Sequence, residues 1–88
     1  MELRFKGKFN RDIDISNRNL LEQVKNAIQS VIAAKDIAQI QNLKKLRKYK
    51  TLYRIEIDKD YRIGIIIRNK TVWFVRFGHR NNFYEYFP

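Results

Sequence analysis

At 88 residues the chain has room for one domain of ordinary size, residues 1–88, and surface-to-volume scaling leaves it a thin core, which argues against a deep cofactor cavity. With 44% hydrophobic and 14% aromatic residues it is too apolar for a disordered tail, and no apolar run approaches the ~18 residues of a membrane span. Nineteen Lys and Arg against nine Asp and Glu leave a net charge of +10, which suits a polyanionic partner better than a neutral metabolite.

The surplus is uneven. Residues 1–43 carry seven basic and five acidic residues, whereas residues 44–88 carry twelve and four, so the second half owns the field. The absence of cysteine excludes disulfides and thiolate zinc sites, and the single histidine, His79, gives no metal cluster, so neither metal nor cofactor is expected. The opening residues lack the apolar core of a secretion signal, which points to the cytoplasm and away from a membrane partner.

Along the chain, Leu3, Phe5 and Phe9 alternate with charged residues, predicting a half-buried first strand that weakens at Gly7. Residues 10–16 fit either a continued strand, through Ile13 and Ile15, or a short helical turn. From Leu20 the apolar positions Leu20, Leu21, Val24, Ile28, Val31 and Ile32 form one stripe, predicting an amphipathic helix over 20–34 with Asn19 and Glu22 as its capping box. Ile37, Ile40, Leu43 and Leu46 recur every three residues, too tightly for a regular α-helix, so a short helix or winding connection is expected there.

The last third reads as strand throughout. Leu52–Ile57, Tyr61–Arg68 and residues 71–77 are rich in β-branched and aromatic residues and are separated by hairpin turns at Asp58-Lys59-Asp60 and Asn69-Lys70. The predicted class is α+β: an N-terminal strand, one or two helices, then a three- to four-stranded antiparallel sheet.

Register arithmetic places the side chains. Pairing Ile57 with Tyr61 sets Glu56 opposite Arg62 and Arg54 opposite Gly64, while pairing Arg68 with Thr71 sets Ile66 opposite Trp73 and Gly64 opposite Val75. One face then holds Ile55, Ile57, Ile63, Ile65, Ile67, Val72 and Phe74, a core to receive the helix. The other holds Arg54, Glu56, Arg62, Gly64 and Ile66 with Trp73, Val75 and Phe77, too apolar to stand bare, so either the first strand, the C-terminal tail or a protein partner covers it. Arg54 and Arg62, rising from rigid strands, have forks suited to phosphate oxygens, and a cross-strand ion pair of Glu56 with Arg62 is the plainer alternative. Lys44, Lys45, Arg47, Lys48 and Lys50, interleaved with Leu46 and Tyr49, suit a phosphate-tracking edge or, more simply, a lysine-protected sheet entry.

These strings, Leu43-Lys44-Lys45-Leu46-Arg47-Lys48-Tyr49, Leu52-Tyr53-Arg54-Ile55-Glu56-Ile57, Asp60-Tyr61-Arg62-Ile63-Gly64 and Phe77-Gly78-His79-Arg80-Asn81-Asn82-Phe83-Tyr84, together resemble the RelE/ParE superfamily of bacterial and archaeal toxins. The resemblance covers most of residues 43–88, and residues 10–42 match in outline. The closing Tyr84-Glu85-Tyr86-Phe87-Pro88 looks most like the short archaeal-type RelE proteins, which end without an added C-terminal helix.

The resemblance implies the toxin of a type II toxin–antitoxin pair. RelE-branch members enter the ribosomal A site, cut the bound mRNA to leave a 2′,3′-cyclic phosphate without a metal, and are silenced by a cognate acidic antitoxin. On that pattern Arg62 and Arg80 bind the scissile phosphate, Arg54 orients the backbone, and Tyr84 stacks on the neighbouring base or relays a proton. His79, in the Gly-His-Arg string, is structural, substrate-contacting or a proton donor. Glu56 stands where the RelE branch often keeps a Lys or Arg. A carboxylate there can serve as base or, equally, neutralise Arg62 and blunt cleavage. Two further readings stay open: a ParE-like toxin that binds DNA gyrase without cutting RNA, and an inactive nucleic-acid-binding relative.

Overall fold

The computed structural model describes residues 1–15 and 17–88, and Ser16, at the end of the stretch left open above, lies outside them. In chain order the elements are β1 (Glu2–Phe5), α1 (Gly7–Asp12), α2 (Arg18–Ala33), a 3₁₀ turn (Ile37–Gln39), β2 (Leu43–Lys45), β3 (Leu52–Ile57), β4 (Tyr61–Arg68), β5 (Thr71–His79) and α3 (Arg80–Tyr86). The strands form one sheet in the order β1-β5-β4-β3-β2.

The class is α+β as expected, but the sheet has five strands among the described residues, and it is mixed. β1 runs parallel to β5, pairing Glu2 with Thr71 through Phe5 with Phe74. The expected winding connection resolves into the 3₁₀ turn, capped by Asp36 accepting the Ala38 N–H at 3.0 Å, and then into β2. Three residues are too few for periodicity to reveal, and β2 exists by pairing Lys44 with Arg54 on its neighbour.

Phe9 does not continue the first strand. The backbone is extended at Lys6 and then turns helical, and Phe9 is fully buried against Phe74, ring centroids 5.4 Å apart. Burial of a phenylalanine, about 1.5–3 kcal/mol, overrides the local alternation. α2 begins two residues earlier than predicted, and its cap is Asn17 rather than Asn19: the Asn17 side chain accepts the Leu20 N–H at 3.0 Å. Leu20, Val24 and Val31 are buried on the sheet, while Ile32, counted in the stripe, lies on the solvent side.

The hairpins form where predicted, and their turn residues Asp58, Lys59, Asn69 and Lys70 all have positive φ. For the two-residue Asn69-Lys70 loop this is the primed-turn geometry that matches strand twist. β3 and β4 keep the predicted register, Glu56 with Arg62 and Arg54 with Gly64. β4 and β5 keep it from Arg68–Thr71 to Ile65–Phe74, then slip: Gly64 pairs with Arg76, not Val75. This bulge leaves Val75 as the extra residue and exchanges the faces beyond it. Phe77 therefore enters the core opposite Ile63, and Arg76 emerges beside Gly64.

The other correction is at the C-terminus, where the expected strand and bare ending give way to α3. It lies across the face opposite α2, with Phe83 and Phe87 buried. Gly64 and Gly78 make room for it: a Cβ on Gly64 would stand 2.7 Å from the Phe87 ring, and one on Gly78 would overlap the Tyr86 hydroxyl. The tail thus covers the second face around Gly64 and Gly78, as one of the alternatives above anticipated in part, while Ile66, Trp73 and Val75 stay half-buried and Lys6 lies over the Trp73 ring.

Candidate functional site

Arg54 and Glu56 sit two residues apart on β3 and so share a face, and register brings Arg62 of β4 directly opposite Glu56. Arg54 Nη2 donates to Glu56 Oε2 at 3.0 Å, and Arg62 Nη2 stands 4.0 Å from that same oxygen. From α3, Tyr84 presents its hydroxyl to Arg54 Nη1 at 2.5 Å, with its ring centroid 5.9 Å from the guanidinium carbon. The structure therefore gathers four of the five predicted catalytic residues: Arg54, Glu56, Arg62 and Tyr84. Tyr84 is reached only because α3 folds back over the sheet.

Arg62 is the most enclosed of the group, its side chain 11% exposed. Its Nη1 donates to the carbonyls of Lys59 and Tyr61 at 2.7 and 2.9 Å. The Nε–H groups of Arg54 and Arg62 are buried and find no acceptor among the described residues. An anion could meet this pair of donors only where the side chains that cover them move aside, and it would then restore the stability that an unmet buried donor costs.

Arg80 stands apart from this cluster, at the first position of α3 with its side chain 58% exposed and its Nε 3.4 Å from Asp60 Oδ1. Its backbone N–H donates to the Asp60 carbonyl at 2.7 Å. Arg62 and Arg80 thus reach the same turn, at Lys59 and at Asp60. His79 caps α3, its Nδ1 accepting the Asn81 N–H at 3.1 Å, and meets the Tyr61 ring edge-on.

The basic edge divides. Lys44 shares the Arg54 face, Lys45 lies on the alternate face of β2, and Arg47, Lys48 and Lys50 are exposed in the turn into β3. Among the described residues no three His, Cys, Asp or Glu side chains converge as metal ligands, and no helix is long and apolar enough to cross a membrane.

One network escaped the sequence reading. Asp12, at the end of α1, binds the Arg76 guanidinium, which stacks on the Tyr86 ring with its carbon 4.1 Å from the centroid. The Asp12 hydrogen bond raises the Arg76 pKa against the opposing effect of burial, and burial raises that of Tyr86. The bulge puts Arg76 in this position, and neither an irregularity of one residue nor a partner so distant in the chain leaves a periodic trace.

No protein-family model matches the chain. It is 29% identical to the toxin RelE3 of Methanocaldococcus jannaschii over 89 residues, covering all of both chains. In structure it is similar to the toxin–antitoxin complex RelB–RelE from Methanococcus jannaschii, with a TM-score of 0.80 at 28% identity over 97% of this chain and 99% of that one. It shares its fold with YafQ from E. coli, TM-score 0.75 at 14% identity over 94% and 97% of the two chains. It also shares it with a chain of the E. coli RelBE toxin–antitoxin complex, TM-score 0.70 at 21% identity over 89% and 94%. Full-length sequence similarity and a common fold agree with the motifs: the chain is RelE-like, and it resembles the archaeal RelE proteins in particular.

Proposed function

We propose that this chain is the toxin of a type II toxin–antitoxin pair and cuts mRNA on the ribosome. The observation that carries this reading is the convergence of Arg54, Arg62 and Tyr84 around Glu56 on one rigid sheet face, next to the basic residue Lys44. In the proposed reaction the 2′-oxygen attacks the adjacent phosphorus in line. Its proton passes to an acceptor, a role open to Glu56; the 2′-O–P bond forms, the P–O5′ bond breaks, and the departing 5′-oxygen takes a proton. Arg62 and Arg80 relieve the charge that builds on the phosphate, and Arg54 holds the backbone. Tyr84, restrained by Arg54, stacks on the flanking base or relays the proton. Lys45, Arg47, Lys48, Lys50 and His79 extend the contact with the message. Guanidinium groups supply the charge relief, so the reaction as written needs no metal.

With a charge of +10 the chain calls for an acidic protein partner, and an antitoxin fits. Ribosome, message and antitoxin place its work in the cytoplasm.

The test is primer extension on ribosome-bound message with wild type and Arg62→Ala. Cleavage by the wild type within the A-site codon, reduced at least ~10²-fold in the variant, is the expected result. Normal cutting by Arg62→Ala overturns the site. If induced cells lose DNA synthesis before protein synthesis and no transcript is cut, the chain acts as a gyrase-binding toxin instead.

A further inference from the structure

The way Glu56 is bound differs from the way Asp12 is bound. Asp12 fills the Nε/Nη2 edge of Arg76 with both oxygens, at 2.7 and 3.2 Å. Glu56 offers one oxygen to two arginines, taking only Nη2 of Arg54 and standing near only Nη2 of Arg62. The Nε–H beside each of those nitrogens is buried and unserved among the described residues. Two planar donor edges are thus turned toward one carboxylate oxygen that satisfies neither. A phosphate, with more oxygens arranged tetrahedrally, can serve both.

The remaining contacts keep the two guanidinium groups in place when the carboxylate moves. Arg54 Nη1 is held by the Tyr84 hydroxyl, and Arg62 Nη1 by two backbone carbonyls. Among the described residues Glu56 has no such second tether: its side chain meets these two arginines and is one-third exposed, so it has a route to solvent.

We propose that the Glu56 carboxylate occupies the seat of the substrate phosphate, holding Arg54 and Arg62 in binding geometry and giving them up when a phosphodiester enters. This rests on the nuclease reading for the identity of the ligand. It assigns Glu56 a positioning and competing role in the empty site, separate from any part in proton transfer. The two like charges of Arg54 and Arg62 are screened until substrate arrives, and binding exchanges one anion for another.

The experiment titrates inorganic phosphate into the full chain, following the Nε–H resonances of Arg54 and Arg62 by NMR. Wild type is compared with Glu56→Gln, Glu56→Asp and Glu85→Gln, the last removing an equal charge from an exposed position of α3. Both resonances are expected to move in every chain. Half-saturation should fall about fivefold in Glu56→Gln, the ratio given by releasing one part-exposed ion pair, and by less in Glu56→Asp, whose carboxylate is retracted by one methylene. Glu85→Gln should follow wild type within about twofold. If Glu56→Gln fails to fold, a tightening in Glu56→Asp beyond that of Glu85→Gln supports the inference, and equality of the two overturns it. Equal half-saturation in all chains, or no movement at Arg54 and Arg62 in any, also overturns it. Ribosomal cleavage by wild type separates the two ideas: cutting with equal phosphate affinities defeats the displaced carboxylate alone, and tightening without cutting defeats the nuclease reading alone.

Discussion

Asp12 and Arg76, 64 positions apart in the chain, are joined by two hydrogen bonds, and the Asp12 oxygen that takes the Arg76 Nε–H also takes the backbone N–H of Phe77 at 3.0 Å. One carboxylate therefore ties α1 to β5 just past the bulge, and through the stacked Tyr86 ring it reaches α3. Asp12→Ala strands a guanidinium and a backbone donor in a part-buried site. The expected loss is about 2–3 kcal/mol, seen as a lower urea midpoint at unchanged slope. A loss under about 0.5 kcal/mol, typical of an ordinary surface change, contradicts this account.

Gly64 lies under the Phe87 ring with no room for a methyl group. Gly64→Ala should lower stability by about 1–3 kcal/mol, as overpacking does, and weaken Tyr84-dependent activity with it by shifting α3. Pairing it with Phe87→Leu, which vacates the ring volume, should recover part of the loss. A strictly additive double variant would mean that the two residues do not meet.

Arg80 and Arg62 separate chemistry from folding. Arg80 is mostly exposed, so Arg80→Ala should melt within about 0.5 kcal/mol of wild type. Ribosomal cleavage should nonetheless drop at least ~10²-fold if the guanidinium meets the phosphate in the transition state. Arg62→Lys should fail as Arg62→Ala does, because an ammonium cannot reproduce a fork held by two carbonyls. Full activity in Arg62→Lys would show that only its charge matters.

Burial holds the Tyr86 phenol above the ordinary tyrosine range; Asp12 and Glu85 push in the same direction and Arg76 opposes. The folded chain thus binds this proton more tightly than the unfolded one. The stability contributed by this group is complete below ~10 and is lost as pH rises from there through the folded value. In an alkaline absorbance titration, Tyr86→Phe should lack a transition that wild type shows above the ordinary tyrosine range. An unchanged titration curve above that range would contradict the burial.

Much of the sheet is visible in the amino-acid order because hairpins are local. The Asn69-Lys70 and Asp58-Lys59-Asp60 turns fix the pairing of their flanks, so Glu56 against Arg62 follows from counting outward. Counting fails at Val75, since a bulge alters one residue's pairing without changing the composition around it. α3 was hidden for another reason: Phe83, Tyr84, Tyr86 and Phe87 have strand propensity, and their helix forms because two glycines on adjacent strands accept the rings. Counting along β3 and β4 brought out Arg54, Glu56 and Arg62, and Tyr84 came from the resemblance of the Gly-His-Arg stretch and its sequel to the RelE/ParE toxins. Asp12 and Arg76 depend on tertiary approach, which no local pattern encodes.

The parallel pairing of β1 with β5 has a consequence for synthesis. Residues 2–5 are made well before their hydrogen-bonding partners, residues 71–74, so β1 has no mate until those have been translated. Closing so long a loop is slow relative to local hairpin formation. A nascent chain therefore carries the arginines of its middle strands before it has a finished scaffold, and it acquires Tyr84 later still. The site is therefore complete only once Tyr84 has been made and α3 has folded back over the strands that carry Arg54 and Arg62.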